Sequence, residues 1–286
     1  MIHILRRAWL FSLVIAGLNV CAAVAAEKAP ATLLVKDSLA SPNQPVTVEA
    51  RLVSKGLMTS AGLGGEPLEL VAYGKVVATA MTGGDGTAFL SFTPKAQGVI
   101  PVQVRVGESP RVVPAEGQGQ LAIWERRNPI VAVEIAALME ESSSRGPLPG
   151  IGLKIESERK PMPDAADELG KLTQFYYRVV YVVTQTTGSD GFQASEETRD
   201  WLKAHKFPSG YVLVLPPGEH ALGEKIDALH TAGWKTIKTG IGRSKAFAEA
   251  FLQRRLEAVI VPEPAKGETP RKAKVAKAWK EIRKKL

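Results

Sequence analysis

Pro129-Ile130-Val131-Ala132-Val133-Glu134-Ile135-Ala136-Ala137-Leu138-Met139 decides how this chain is read. Its apolar run follows a proline, is rich in β-branched residues and shows no polar alternation until Glu134. A strand apolar on both sides is buried on both faces, as in a parallel sheet. Downstream, further apolar runs at 178–183, 210–215, 235–239 and 258–261 alternate with helical stretches at 164–176, 195–205, 219–232 and 244–255. Strands alternating with helices predict a doubly wound, Rossmann-like α/β fold, with any site at the carboxyl ends of the strands.

Upstream the pattern changes. Candidate strands at 32–35, 46–53, 68–73, 76–79, 87–92, 99–106 and 120–124 are short and separated by turn residues such as Tyr73-Gly74-Lys75 and Gly83-Gly84-Asp85-Gly86. Val46-Thr47-Val48-Glu49-Ala50-Arg51-Leu52 alternates apolar and polar side chains, as a half-buried antiparallel strand does. About seven such strands in sequence predict an all-β, immunoglobulin-like sandwich. The run from Thr82 to Val106, with Gly86-Thr87-Ala88-Phe89 followed by an alternating strand, resembles bacterial immunoglobulin-like domains. Asp85, in the glycine-rich loop, reads as a turn residue.

The chain has 286 residues, enough for two cores. Arg6-Arg7, an apolar run from Ala8 to Val20 and Val24-Ala25-Ala26 predict a signal peptide over 1–26, cleaved after Ala26. Cys21 is the only cysteine, so the mature chain would lack disulfides and thiolate sites. An exported, cysteine-free chain predicts a periplasmic or secreted bacterial protein with no transmembrane helix in its mature form. Of the formal net charge of +8, the segment from Lys266 onward holds nine basic and two acidic residues. The basic excess therefore belongs to a tail, and nucleic acid is an unfavoured partner.

Several landmarks after Pro129 together resemble haloacid-dehalogenase-type (HAD) phosphatases, most of all the lipin-like phosphatidate-phosphatase branch. Ile130–135 matches the first strand, Arg178-Val-Val-Tyr-Val-Val-Thr184 the second-motif strand, Lys225 the third-motif lysine, and Thr239-Gly240-Ile241-Gly242 the glycine turn of the fourth motif. The resemblance implies an aspartyl nucleophile, an acid two residues on, and Mg²⁺ held partly by a fourth-motif acid. Here those positions hold Glu134 and Ala136, Leu138 replaces the motif threonine, and the turn continues Arg243-Ser244-Lys245-Ala246 with no acid. Glu134 adds a methylene, moving its oxygen by roughly 1.5 Å, a misplacement that can cost about a hundredfold. Ala136 has no proton to give, and a general acid is worth roughly 10²–10⁴ in rate. The expectation is a degenerate, non-catalytic domain without a cofactor, Mg²⁺ entering only if an atypical phosphohydrolase survives. Thr184, Lys225 and Arg243 are the possible phosphate or anion contacts, Arg243 together with amides at the following helix N-terminus.

The remaining polar residues suggest structure. His205, His220 and His230 lack metal-ligand spacing. Asp164, Asp167 and Glu168 suit a helix N-terminus. Residues 142–150 read as a linker. In the tail, Val275, Trp279, Ile282 and Leu286 recur at +4, +3 and +4 after Thr269-Pro270, which predicts an amphipathic helix. That helix either packs its apolar stripe on the α/β domain or presents Lys277, Trp279, Lys280 and Arg283 to an anionic lipid or polymer. The sequence thus divides as 1–26 signal peptide, 27–125 sandwich, 126–265 degenerate HAD-like domain and 266–286 basic helix. The expected role is binding or scaffolding in the cell envelope, through an anionic envelope component or a partner protein.

Overall fold

Alternating and unbroken apolar runs separate into two kinds of sheet in the computed structural model, which describes residues 28–54, 61–140, 159–185, 190–265, 267 and 269–286. The signal-peptide and 142–150 linker expectations lie outside the described residues. Eight strands come first: β1 (Ala31–Val35), β2 (Ser38–Ala40), β3 (Val46–Ser54), β4 (Pro67–Ala72), β5 (Lys75–Met81), β6 (Thr87–Phe92), β7 (Gly98–Val106) and β8 (Glu116–Ile123). They form two sheets, β1-β3-β6 and β2-β8-β7-β4-β5, antiparallel except where β2 runs parallel to β8. Inward positions of both sheets, including Val48, Ala50, Leu52, Leu68, Leu70, Leu90 and Val104, meet in one buried cluster. Strand β2, only three residues long, was not expected from the sequence.

The second half runs β9 (Ile130–Glu134), α1 (Ile135–Leu138), α2 (Ala165–Phe175), β10 (Arg178–Thr184), α3 (Gly191–Ala204), β11 (Tyr211–Leu215), α4 (Ala221–Thr231), β12 (Ile237–Gly242), α5 (Lys245–Leu252), β13 (Glu257–Ile260), β14 (Lys274–Val275) and a 3-10 helix, Trp279–Lys284. Its sheet is wholly parallel, in the order β11-β10-β9-β12-β13-β14. Counted along this half, the order is the doubly wound 3-2-1-4-5-6, so the strand order reverses between β9 and β12. Successive residues of β9 face opposite cores. Val131 and Val133 join Leu169 and Leu172 of α2 on one side, and Ile130 and Ala132 join Ile226 of α4 and Phe247 and Phe251 of α5 on the other.

The tail departs from the expected amphipathic helix. Lys274 and Val275 extend the sheet beside Val259 and Ile260, and only the short 3-10 turn follows. Adding a strand to an exposed sheet edge satisfies backbone groups that a helix would have satisfied internally. Trp279 and Ile282 are fully buried, and the Trp279 indole donates to the Ala137 carbonyl at 3.0 Å. The described residues 269–286 are accordingly joined to the α/β sheet at Lys274 and Val275 and are not a separate α-helix. Among the described residues no helix is long and apolar enough to cross a membrane.

The two halves share buried contacts. Ala122 of β8 and Trp124 just beyond it lie in the same cluster as Ile226 and Phe251. Asp37, between β1 and β2, pairs with Arg199 of α3 at 2.6 Å, both side chains almost wholly buried.

Candidate functional site

The crevice predicted by the strand order lies where β9 ends and β12 turns into α5, and what occupies it is Glu134. Its Oε2 accepts from the backbone N–H of Arg243 at 2.6 Å and of Ser244 at 2.9 Å, while its Oε1 accepts from the Ser244 hydroxyl at 2.6 Å. Ser244 is also the N-cap of α5, its hydroxyl accepting from Phe247 N at 3.2 Å. Free N–H groups and the helix dipole make such a terminus attractive to anions. Here the chain supplies the anion from the end of β9.

Local sequence makes this approach possible. A Cβ on Gly242 would lie 2.3 Å from Phe247 Cδ1 and 2.8 Å from Glu134 Oε2, and one on Gly240 would lie 2.7 Å from the Phe251 ring. The two glycines of Thr239-Gly240-Ile241-Gly242 thus let α5 pack directly on β12 and let the carboxylate reach its amides.

The sequence-predicted site residues are placed as follows. Glu134 sits at the crevice, whereas Ala136 is exposed on the turn of α1. Leu138, at the expected threonine position, is fully buried in the core. Arg243 does meet the helix N-terminus, but its amide belongs to Glu134 and its Nη2 donates to the Met139 carbonyl at 2.7 Å. Its guanidinium therefore ties α5 to the end of α1. The Arg243 and Ser244 amides, expected to face an outside anion, donate to Glu134 in this structure. Thr184 ends β10 with its side chain exposed, and Lys225 is exposed on α4. No hydrogen bond or ion pair brings either to Glu134 among the described residues.

Trp279 is corrected as a membrane or polymer contact, since its ring fills the core beneath α1. Two of its basic neighbours point to α2 instead of outward. Lys280 lies 3.4 Å from Asp164 and Arg283 lies 2.6 Å from the nearly buried Glu168, which Lys171 also contacts at 3.0 Å. Lys277 is exposed. Asp85 accepts from Thr87 N at 3.0 Å and Thr87 Oγ1 at 2.8 Å, holding its own hairpin turn. His205 packs on Trp201 at 4.8 Å between ring centroids, and His230 Nε2 lies 2.9 Å from the Ile237 carbonyl.

The described residues of the crevice do not fit magnesium. That ion demands near-octahedral oxygen coordination. Glu134, the carboxylate described at the end of β9, already accepts two amides and a hydroxyl, and Arg243-Ser244-Lys245-Ala246 adds no acid. Among the described residues no three His, Cys, Asp or Glu side chains come together in a way that could hold a metal ion.

A polar cluster the sequence did not reveal lies at the junction of the halves. Asp37 Oδ1 accepts from Arg199 and from Gln120 N at 3.0 Å, and its Oδ2 accepts from Val212 N, on edge strand β11, at 3.3 Å. Arg199 donates further to the carbonyls of Val35 at 3.3 Å and Gln118 at 2.6 Å. Burial pushes the Asp37 carboxyl up to about 6, against the pull of Arg199 and the two amides. One signal was present in the sequence. Ser195, Arg199 and Leu202 fall on one helical stripe, and an arginine on a buried stripe requires an acidic partner.

No family model matches the chain, and no curated protein matches it. Among solved structures, the D,D-heptose 1,7-bisphosphate phosphatase from Burkholderia thailandensis is similar over 54% of this chain and 96% of its own, at 13% identity and a TM-score of 0.39. A chimeric titin Z1Z2 is similar over 33% of this chain and 93% of its own, at 13% identity and a TM-score of 0.23. The D00-D0 domain of intimin covers 33% of this chain and 46% of its own, at 16% identity and a TM-score of 0.22.

Proposed function

We propose that this chain is an exported, two-domain protein in which an immunoglobulin-like sandwich is fixed to a degenerate HAD-like domain that binds or scaffolds instead of hydrolysing phosphate esters. The observation that carries this reading is the engagement of Glu134. Both carboxylate oxygens are spent on Arg243 N, Ser244 N and the Ser244 hydroxyl. A nucleophile must present a free oxygen in line with phosphorus, and a phosphate group must find unoccupied N–H donors. One side chain removes both conditions. Ala136, two residues on, supplies no acid for the leaving group. The buried junction between the halves supports a scaffolding role, because it fixes their relative orientation.

The decisive experiment incubates the purified protein with Mg²⁺ and p-nitrophenyl phosphate. Release of p-nitrophenol should not exceed that in buffer alone. Turnover that disappears in Glu134→Ala would overturn the reading and restore a metal-dependent phosphohydrolase with an atypical site.

A further inference from the structure

Opposite the Glu134 crevice, at the amino ends of the parallel strands, α2 runs out into Phe175-Tyr176-Tyr177-Arg178. Phe175 is 79% exposed and Tyr176 is 65% exposed, the former the most exposed of the large apolar side chains described. A phenylalanine in water at the end of a helix carries an unrecovered hydration cost, and two adjacent exposed rings are unusual unless something covers them. Tyr176 stands edge-on to Tyr177, with ring centroids 5.0 Å apart. Tyr177 and Leu286 both pack on the core cluster that contains Leu172 of α2.

The acid that acts on this reversal is paired. Glu257, whose charge acts on the Tyr177 phenol, is neutralised by Lys274 at 3.1 Å. The Lys274 ammonium also donates to the Lys285 carbonyl at 2.8 Å, which ties the end of the tail to the Glu257 pair. The side chains of Arg178, Lys284 and Lys285 form no ion pair among the described residues. Lys280 and Arg283, by contrast, are committed to α2. The structure therefore divides the tail's basic residues into those that fasten it, such as Arg283, and those that form no ion pair among the described residues, such as the exposed Lys284 and the half-buried Lys285.

We propose that this face binds anionic lipid bilayers, Phe175 and Tyr176 entering the headgroup region while Arg178, Lys284 and Lys285 meet the negative surface. Charge complementarity selects the occupant. Aromatic rings with a polar edge or neighbour settle at a membrane–water interface, and clustered lysines add attraction that salt screens. The rings stand out from a chain reversal instead of lining a cleft, which suits a deformable surface. This inference is independent of the crevice, which lies at the other end of the strands.

The test is sedimentation of the purified chain with phosphatidylcholine vesicles, with and without phosphatidylglycerol. Binding should require phosphatidylglycerol and weaken as salt rises. Phe175→Ser with Tyr176→Ser should lower the affinity severalfold while leaving the salt dependence, and Lys284→Glu with Lys285→Glu should lower it by about tenfold or more. Unchanged near-ultraviolet circular dichroism in both variants establishes that the fold is intact. Failure to sediment with phosphatidylglycerol vesicles overturns the proposal, as does equal binding to pure phosphatidylcholine. Wild-type binding by the Phe175→Ser, Tyr176→Ser variant would also overturn it, leaving a charge-only polyanion contact.

Discussion

Ser244 donates its hydroxyl to Glu134 Oε1 at 2.6 Å and its amide to Oε2 at 2.9 Å, so one residue holds both oxygens of the carboxylate. The contact joins the end of β9 to the start of α5 across the point where the strand order reverses. Charge-assisted hydrogen bonds are worth roughly 1.5–3 kcal/mol each, less where solvent competes. Glu134→Ala should lower the unfolding free energy by about 2–3 kcal/mol, and Glu134→Gln, which keeps one acceptor oxygen, by about half as much. Urea denaturation read by circular dichroism would measure both. An effect below about 0.5 kcal/mol for Glu134→Ala would mean that the carboxylate is not a structural cap.

Gly242 gives room for that contact. A methyl group there meets the Phe247 ring at 2.3 Å, closer than any real contact, and forces α5 away from β12. Gly242→Ala should cost about 1–3 kcal/mol, as overpacking generally does. Because the clash is with Phe247, the cost of Gly242→Ala should be smaller when measured in a Phe247→Ala background. A double-mutant cycle with no coupling would refute the close-approach explanation.

Trp279 and Ile282 make the tail part of the core. Trp279→Ala should destabilise the protein by about 3–5 kcal/mol, through the cavity and the Ala137 carbonyl it leaves unpaired. Lys277→Ala, on the exposed side of the same segment, should change stability by less than about 0.5 kcal/mol. Thermal melts of the two variants make the comparison. Similar melting temperatures would show that the tail is loosely attached.

Asp37 gives the junction a pH dependence. Its carboxyl is raised from 3.8 to about 6, so between those values the folded chain keeps a proton that the unfolded chain has released. Its stability contribution is fully present below the lower value and is lost as pH rises through the upper one. The loss is on the order of 3 kcal/mol. Asp37→Asn removes the titration, so the stability of wild type relative to this variant should fall by that order between about pH 4 and pH 7. Urea midpoints at several pH values would show it, and a constant difference would contradict the raised carboxyl.

What could be read from the sequence was what depends on neighbours along the chain. The β9 run Ile130-Val-Ala-Val is buried on both faces and announces a parallel strand without help from elsewhere. Ser244 announces the start of α5 in the same local way. The tail shows the limit. Val275, Trp279, Ile282 and Leu286 do fall at helical intervals, and Trp279 and Ile282 do face the core, but Lys274-Val275 pair with β13 and only a short 3-10 turn follows. Glu134 and Ser244 are 110 residues apart, and Asp37 and Arg199 are 162 apart. Pairings over such distances depend on the assembled sheets. The glycine turn signalled an anion-binding helix start, yet nothing local named Glu134 as the anion.

The Asp37 bond to Val212 N has a bearing on solubility. Edge strand β11 would otherwise show an open row of donors and acceptors, the kind of rim on which other chains add. The β-rich half stands beside this rim and fills one of its donor positions with a carboxylate. A fragment starting near Arg126 would expose that donor, and its edge should pair more readily with other chains.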